Sequence, residues 1–262
     1  LGQGLFHFRE GVTRQYLEAG TLTIRLSFKP GTAEADIQSV EQAAIALGLL
    51  GGLGSRARKG LGSLALHKLE RTGQPVREFT TVENIAAFIQ ALDFSAPAGA
   101  PLTAFTRATR IDLSATAGKA LDALAAIGHE LQMYRSFGQN GKVNGHRARR
   151  NFVADHDNVQ AATQGTRLQK LPARAVFGLP HNYFFSSTKA KLDITTEDEG
   201  RRASPLLVHI HPLQDGKFVA IQTLLPSVFL PPGMGLSVKV GNRTAPAPQD
   251  TSVDYAVITR YL

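Results

Sequence analysis

Two runs in the last quarter of the chain limit its fold more than any other feature. PLLVHIH (205–211) and KFVAIQTLL (217–225) are β-rich segments separated by a Gln-Asp-Gly turn at 214–216. Two such runs joined by a tight turn predict a hairpin, so the chain must build at least one antiparallel sheet. The remaining pattern interleaves helices with strands. TLTIRLSF (21–28) alternates, with Leu22, Ile24, Leu26 and Phe28 on one face and Thr23, Arg25 and Ser27 on the other, which predicts a half-buried strand. AEADIQSVEQAAIALGLL (33–50) carries Ile37, Val40, Ala44 and Leu47 at helical spacing, with Thr32 as N-cap and Glu34 and Asp36 in the favourable first turn. Gly51 and Gly52 end that helix. SLALHKL (63–69) returns to a two-residue period. Helices are predicted over 82–92 and 119–137, the latter with Leu121, Leu124, Ile127, Leu131 and Tyr134 on one side. Strands are predicted over 106–114 and 235–240, and a short helix over 254–262. This mixture predicts an α+β chain with antiparallel sheets covered on one face.

With 262 residues, 43% of them hydrophobic, the chain can bury a sizeable core. It has no cysteine, which removes disulfides and thiolate metal sites and suits a reducing cytoplasm. No apolar run is long enough for a membrane span. The net charge of +8 is unevenly spread. Between positions 56 and 71 stand Arg56, Arg58, Lys59, Lys68 and Arg71 against Glu70 alone; between 142 and 150 stand Lys142, Arg147, Arg149 and Arg150 with no acid. Concentrated cations of this kind fit a phosphate-bearing polyanion, with nucleic acid the favoured partner.

The first of these patches lies in GGLGSRARKGLGSL (51–64), where five glycines surround three cations. The combination predicts a segment that an anion orders: glycine admits close approach of another molecule, and arginine and lysine supply charge. A P-loop would run strand, loop, helix, whereas this loop follows a helix and enters a strand. Lys59 is also followed by Gly60 and Leu61 rather than closing a Gly-Lys-Ser/Thr motif. Nucleotide hydrolysis and dinucleotide binding are therefore set aside.

The same stretch resembles the signature loop of the RAMP superfamily of CRISPR proteins. Its fuller form, GGxGxRxRxGxGSL, is similar to the Cmr subfamily of type III-B effector complexes, in particular its first-named RAMP subunit. YLEAGTLTIRLSF (16–28), RAVFGLP (174–180) and RRASPLLVHI (201–210) resemble further segments of that family in the same order. The resemblance implies two ferredoxin-like (RRM-like) domains, here 1–79 and 80–262, with a basic insertion near 138–157. It implies a structural, RNA-binding place beside guide RNA, near its 3′ end, and its paired target, among other RAMP subunits, with target cleavage assigned to a different subunit. One departure stands out. The family's first domain normally begins with a strand and a tryptophan-containing helix, whereas this chain has no Trp, so its first domain is expected as a remainder.

The expected RNA contacts are Gly52, Gly54, Ser55, Arg56, Arg58, Lys59, Gly60 and Gly62 in the loop; Arg147, Arg149 and Arg150 in the basic insertion; and Arg174, Arg201, Arg202 and Ser204 in the other two segments. The plain alternatives are a solvated charge run for the loop, a disordered basic stretch for the insertion, and ion pairs with the acidic TEDE (196–199) for Arg201 and Arg202. No catalytic residue, metal or cofactor is expected. Asp155, His156 and Asp157 are adjacent in sequence and do not converge on one ion. Two rival readings remain: a metal-independent guide-processing endoribonuclease using His129, His146 or His156 as acid or base, and a protein–protein scaffold whose basic loops meet acidic neighbours.

Overall fold

The computed structural model describes residues 6–7, 11–12, 20–54, 56–99, 103–138, 140–198 and 200–262. The chain divides into two units, Leu1–Glu41 and Gln42–Leu262. In the first, β1 (Phe6–His7) pairs antiparallel with β2 (Gly11–Val12), and α1 (Glu34–Leu50) begins. The strand expected over 21–28 is not formed: the segment pairs with no other strand among the described residues, and Leu22, Ile24, Leu26 and Phe28 are 62%, 69%, 48% and 38% exposed. Alternation sorts side chains to two faces, but it makes a strand only where another strand takes up the backbone hydrogen bonds. The Thr32 hydroxyl, expected to cap α1, instead donates to the Lys29 carbonyl at 2.8 Å.

In the second unit, α1 buries Ile45, Leu49 and Leu50, while Leu47 of the expected stripe is 42% exposed; Val40 of that stripe, in the first unit, is 41% exposed. The helix thus presents a face rotated from the one its apolar spacing suggested. Gly48 explains why: its carbonyl accepts from Leu66 N–H at 3.1 Å, and an added Cβ would lie 2.4 Å from Leu66 Cβ, so chain 63–67 lies against that face. There follow β3 (Lys68–Leu69), β4 (Arg77–Glu78), α2 (Val82–Gln90), β5 (Arg110–Leu113) and α3 (Ala120–Tyr134). Thr81 caps α2 by accepting the Asn84 N–H. The insertion holds β6 (Lys142–Val143), β7 (His146–Arg147) and α4 (Val153–Thr163). A 3-10 turn, Ala173–Phe177, leads to β8 (His181–Phe184) and β9 (Lys191–Thr196). The chain ends with β10 (Leu206–Pro212), β11 (Phe218–Leu224), β12 (Leu236–Val240), β13 (Arg243–Ala245) and α5 (Ala256–Thr259).

The expected hairpin is the centre of this unit. β10 and β11 pair antiparallel in full register from Leu206↔Leu224 to Pro212↔Phe218, and β5 adds to the far side of β11. Contrary to expectation, this sheet is covered on both faces. Val208, Ile210 and Ala220 pack with Ala123 of α3, whereas Val219 and Ile221 pack with Ile45, Leu49, Phe79 and Ile85. That second cluster draws residues from both sides of position 80. A second antiparallel sheet, ordered β13-β12-β9-β8, has its own core in Leu192, Ile194, Leu236 and Val238 beside Val159 of α4. The chain is α+β with several small antiparallel sheets. Among the described residues, no helix is long and apolar enough to cross a membrane.

Candidate nucleic-acid interface

The glycine-rich loop is folded onto the outer edge of β10. Leu53 N–H donates to the Gly62 carbonyl at 2.9 Å, closing the loop on itself, and turns follow through Lys59 N–H to Arg56 O at 2.8 Å. Lys59 then runs parallel to Val208, with Val208 N–H donating to Arg58 O at 3.1 Å. Ser63 straps the other end, its hydroxyl donating to Gly60 O and accepting from Ile210 N–H, both at 3.0 Å. Three glycines are needed for this closeness. Gly52, bridged to Ser63, would place a Cβ 2.7 Å from Gly62 O, Gly60 (φ +79°) one 2.8 Å from Leu124 Cδ1, and Gly62 (φ +82°) one 2.0 Å from Leu53 O. The loop was expected to be pliant until an anion ordered it; its glycines instead let it seat against its own fold. Ser55 lies outside the described residues, and Gly54 (φ +95°) needs its conformation but has open space around it.

The three segments that carry the family resemblance at 51–64, 174–180 and 201–210 meet here. Leu179 N–H donates to Arg202 O at 2.8 Å and Arg202 N–H to Leu179 O at 3.1 Å, joining the second segment to the third. Gly178 (φ +109°) permits it, since a Cβ there would stand 2.7 Å from Arg202 O. Arg58 joins the first, its guanidinium donating to Ser204 O at 2.7 Å. The Ser204 hydroxyl is buried and accepts from Leu206 N–H, so this serine is an internal strut.

The cations at this junction crowd one another. Burial and then Arg202 push the Arg58 pKa down; desolvation, then Arg135 and Arg58, do the same to Lys59, although its side chain keeps an exposed surface. Arg135, just past α3, is lowered by burial and by Arg174. Among the described residues, one carboxylate pairs with any of these five cations: Asp155, whose Oδ2 stands 3.5 Å from Arg174 Nε. Asp155 is itself occupied by the backbone N–H groups of Ala173 (2.7 Å) and Arg174 (2.9 Å). His181 is buried, and desolvation with Arg174 and Arg135 holds its pKa down at about 3, so it adds no charge near neutrality. Five cations against one engaged carboxylate make a desolvated positive site that an anion would relieve.

The residues are not equally available. Arg202 is consumed as a clamp, its guanidinium donating to Phe229 O, to Ser227 Oγ at 3.0 Å and to Val228 O at 3.2 Å. Arg201 is exposed, and among the described residues neither Glu197 nor Asp198 forms an ion pair with Arg201 or Arg202. Arg56 is half-buried. The second basic stretch is elsewhere in character. It is a short hairpin, β6–β7, leading into α4; Arg147 is exposed, Arg149 pairs with Glu130 at 2.6 Å, and Arg150 (φ +55°) lies 4.4 Å over the Phe137 ring.

Of the histidines weighed as acid or base, His129 and His146 are exposed with ring centroids 5.6 Å apart. His156 stacks on Phe137 at 3.8 Å, with Nδ1 2.9 Å from Asp157 Oδ1. Among the described residues, no group of three or more His, Cys, Asp or Glu is placed to hold a metal ion. Deeper in, His209 and His211 of β10 form a chain: His209 Nδ1 reaches Gly51 O at 2.6 Å, His209 Nε2 faces His211 Nδ1 at 3.3 Å, and His211 Nε2 reaches Phe79 O at 2.7 Å. Burial holds the His209 pKa down at about 4 and lowers that of His211. This chain ties the root of the glycine-rich loop to the central sheet. Sequence reasoning missed Arg135, Asp155 and His181 as parts of the site; each is brought in by tertiary packing, and no local pattern marks it.

No protein-family model, curated protein or solved structure matches this chain.

Proposed function

We propose that this chain is a non-catalytic RNA-binding subunit of a type III-B CRISPR (Cmr) effector complex, holding guide RNA near its 3′ end or the paired target among other RAMP subunits. The observation that carries the reading is the junction of the glycine-rich loop with the RAVFGLP and RRASPL segments. The three stretches that resemble the family are hydrogen-bonded to one another, and they gather Arg58, Lys59, Arg174 and Arg202 with one engaged carboxylate among them. The two ferredoxin-like domains belong to the same proposal. In support of the second, β5, α3, β10 and β11 follow in chain order while the strands lie in space as β5-β11-β10, three strands and a helix of a split βαβ unit.

Phosphate contacts of this kind make affinity fall with salt. Engaging about three phosphates on single-stranded RNA gives a log–log slope near −2. Filter binding of single-stranded RNA across a salt series compares wild type with the Arg56→Ala/Arg58→Ala/Lys59→Ala variant and with Lys59→Ala alone. No hydrogen bond from the Lys59 side chain ties it to the fold among the described residues. A large loss of affinity with a shallower slope is expected for the triple variant, and a slope shallower by about 0.7 for the single one. Equal binding by all three proteins rejects the proposal. The exposed His129–His146 pair gives the endoribonuclease reading its one structural foothold; metal-independent cleavage of repeat RNA, lost in His129→Ala, would replace the subunit reading with it.

A further inference from the structure

Beside the loop junction, a cleft of about 390 Å³ opens between the end of α3 and the β6–β7 hairpin. Its wall is apolar in Leu131, Phe137 and Val143, and its polar members include Gln132, Arg135 and Arg174. The size and the mixture suit a small ligand with one charged end, since ligand pockets are mostly apolar surfaces carrying a few placed polar groups. The two arginines are unusual. Nε of Arg135 and Nε of Arg174 are both buried without a hydrogen-bond partner, although buried donors nearly always have one. Arg174 Nε stands 3.5 Å from Asp155 Oδ2, outside hydrogen-bond geometry, and an Arg174 terminal nitrogen is spent on Arg135 O at 3.2 Å. Nδ1 of His181 is likewise without a partner, and the Arg174 guanidinium lies 5.0 Å over the Tyr183 ring.

Two like charges lining one cleft, neither with its Nε satisfied by the fold, mark where an anion belongs. Phe137 has both faces taken, by Arg150 and by His156, so it offers the cleft an edge and no stacking platform. Gln132 spends its carboxamide oxygen on Asn144 Nδ2 at 3.2 Å, which leaves its amide N–H groups for a ligand. We infer that this cleft binds a single nucleotide, its phosphate on Arg135 and Arg174 and its ring system along Leu131 and Val143 with Gln132 reading an acceptor on its edge. The nucleotide is either free or one unit of a strand; for a strand, the inference rests on the RNA reading above.

The test uses the whole chain with AMP and adenosine as probes, followed by ligand-observed NMR or calorimetry. AMP binds saturably, and adenosine at least about tenfold more weakly, because the phosphate supplies the attraction. Arg135→Gln weakens AMP by about tenfold or more, and Val143→Trp, which fills the cleft and leaves both arginines in place, abolishes its binding. Equal affinity for AMP and adenosine, or no saturable AMP binding by wild type, overturns the inference without any variant having to fold. Competition then identifies the source: single-stranded RNA that displaces AMP makes the cleft one position on a strand's path, and RNA that binds alongside AMP makes it a site for a free nucleotide. Failure of RNA binding with AMP binding intact removes the subunit reading and leaves the cleft standing.

Discussion

The chain's two basic stretches have similar composition but behave in opposite ways. Around Arg58, Arg174 and Arg202 the cations are half-buried, bonded to carbonyls of their own fold, and pressed against one another. Around Arg147, Arg149 and Arg150 they stand in solvent, with Glu130 and the Phe137 ring as partners. The first set organises the structure and keeps excess charge in reserve; the second decorates it. A run of arginines in a sequence therefore does not reveal whether its charge is strained or relaxed. Burial decides that, and burial belongs to the fold.

The comparison is broken most severely at Arg202. Arg202→Ala strands three acceptors at 227–229 and is expected to cost about 4 kcal/mol in urea unfolding, whereas Arg147→Ala stays within about 0.5 kcal/mol. Equal losses would dissolve the distinction. Acid separates the regions next. The folded pKa of His209, at about 4, lies below the ordinary imidazole value of 6.5, so the unfolded chain takes up the proton first. Stability that is whole above about pH 6.5 is then lost as pH falls toward 4, by about 3 kcal/mol from this residue. His209→Gln should flatten that part of a stability-against-pH curve, and an unchanged curve would reject the assignment.

How much of this could be read in advance depends on whether the signal is local. The β10–β11 hairpin carried its turn and both runs within 21 residues (205–225), and it formed at the expected place. The helices at 82 and 119 likewise began within a residue or so of expectation. α4 was missed because VADHDNVQAAT has almost no apolar stripe: its helix is held by single residues, Val159 in one core and Asp155 on two backbone N–H groups. β9 was missed although Leu192, Ile194 and Thr196 alternate inward, a shorter version of the pattern that misled at 21–28. The identical cue thus gave a strand where β8 and β12 flank it and none at 21–28, which pairs with no strand among the described residues. Of the site, the loop, Arg174 and Arg202 were legible as motifs. Their mutual hydrogen bonds, and Arg135 beside them, were not, because they join positions scores of residues apart.

Two smaller tests sharpen the contrast. Gly62→Ala combines left-handed backbone with a Cβ on Leu53 O and is expected to cost about 3 kcal/mol, against about 1 kcal/mol for Gly54→Ala, which meets open space. Similar costs at both glycines would mean that the loop is not seated as described. In the surface hairpin, Arg149→Ala removes an exposed ion pair and should shift stability by about 0.5 kcal/mol or less.

The paired imidazoles beneath the loop raise a matter of counting. Spanning from the Gly51 carbonyl to the Phe79 carbonyl takes one N–H at each end and another between the rings, three hydrogens in all, and two neutral imidazoles own only two. Near neutrality both outer carbonyls can be served only if two lone pairs face each other across 3.3 Å. The buried face of β10 therefore keeps an unfilled place for one hydrogen, and occupying it would trade that repulsion for the burden of an ion where solvent does not reach.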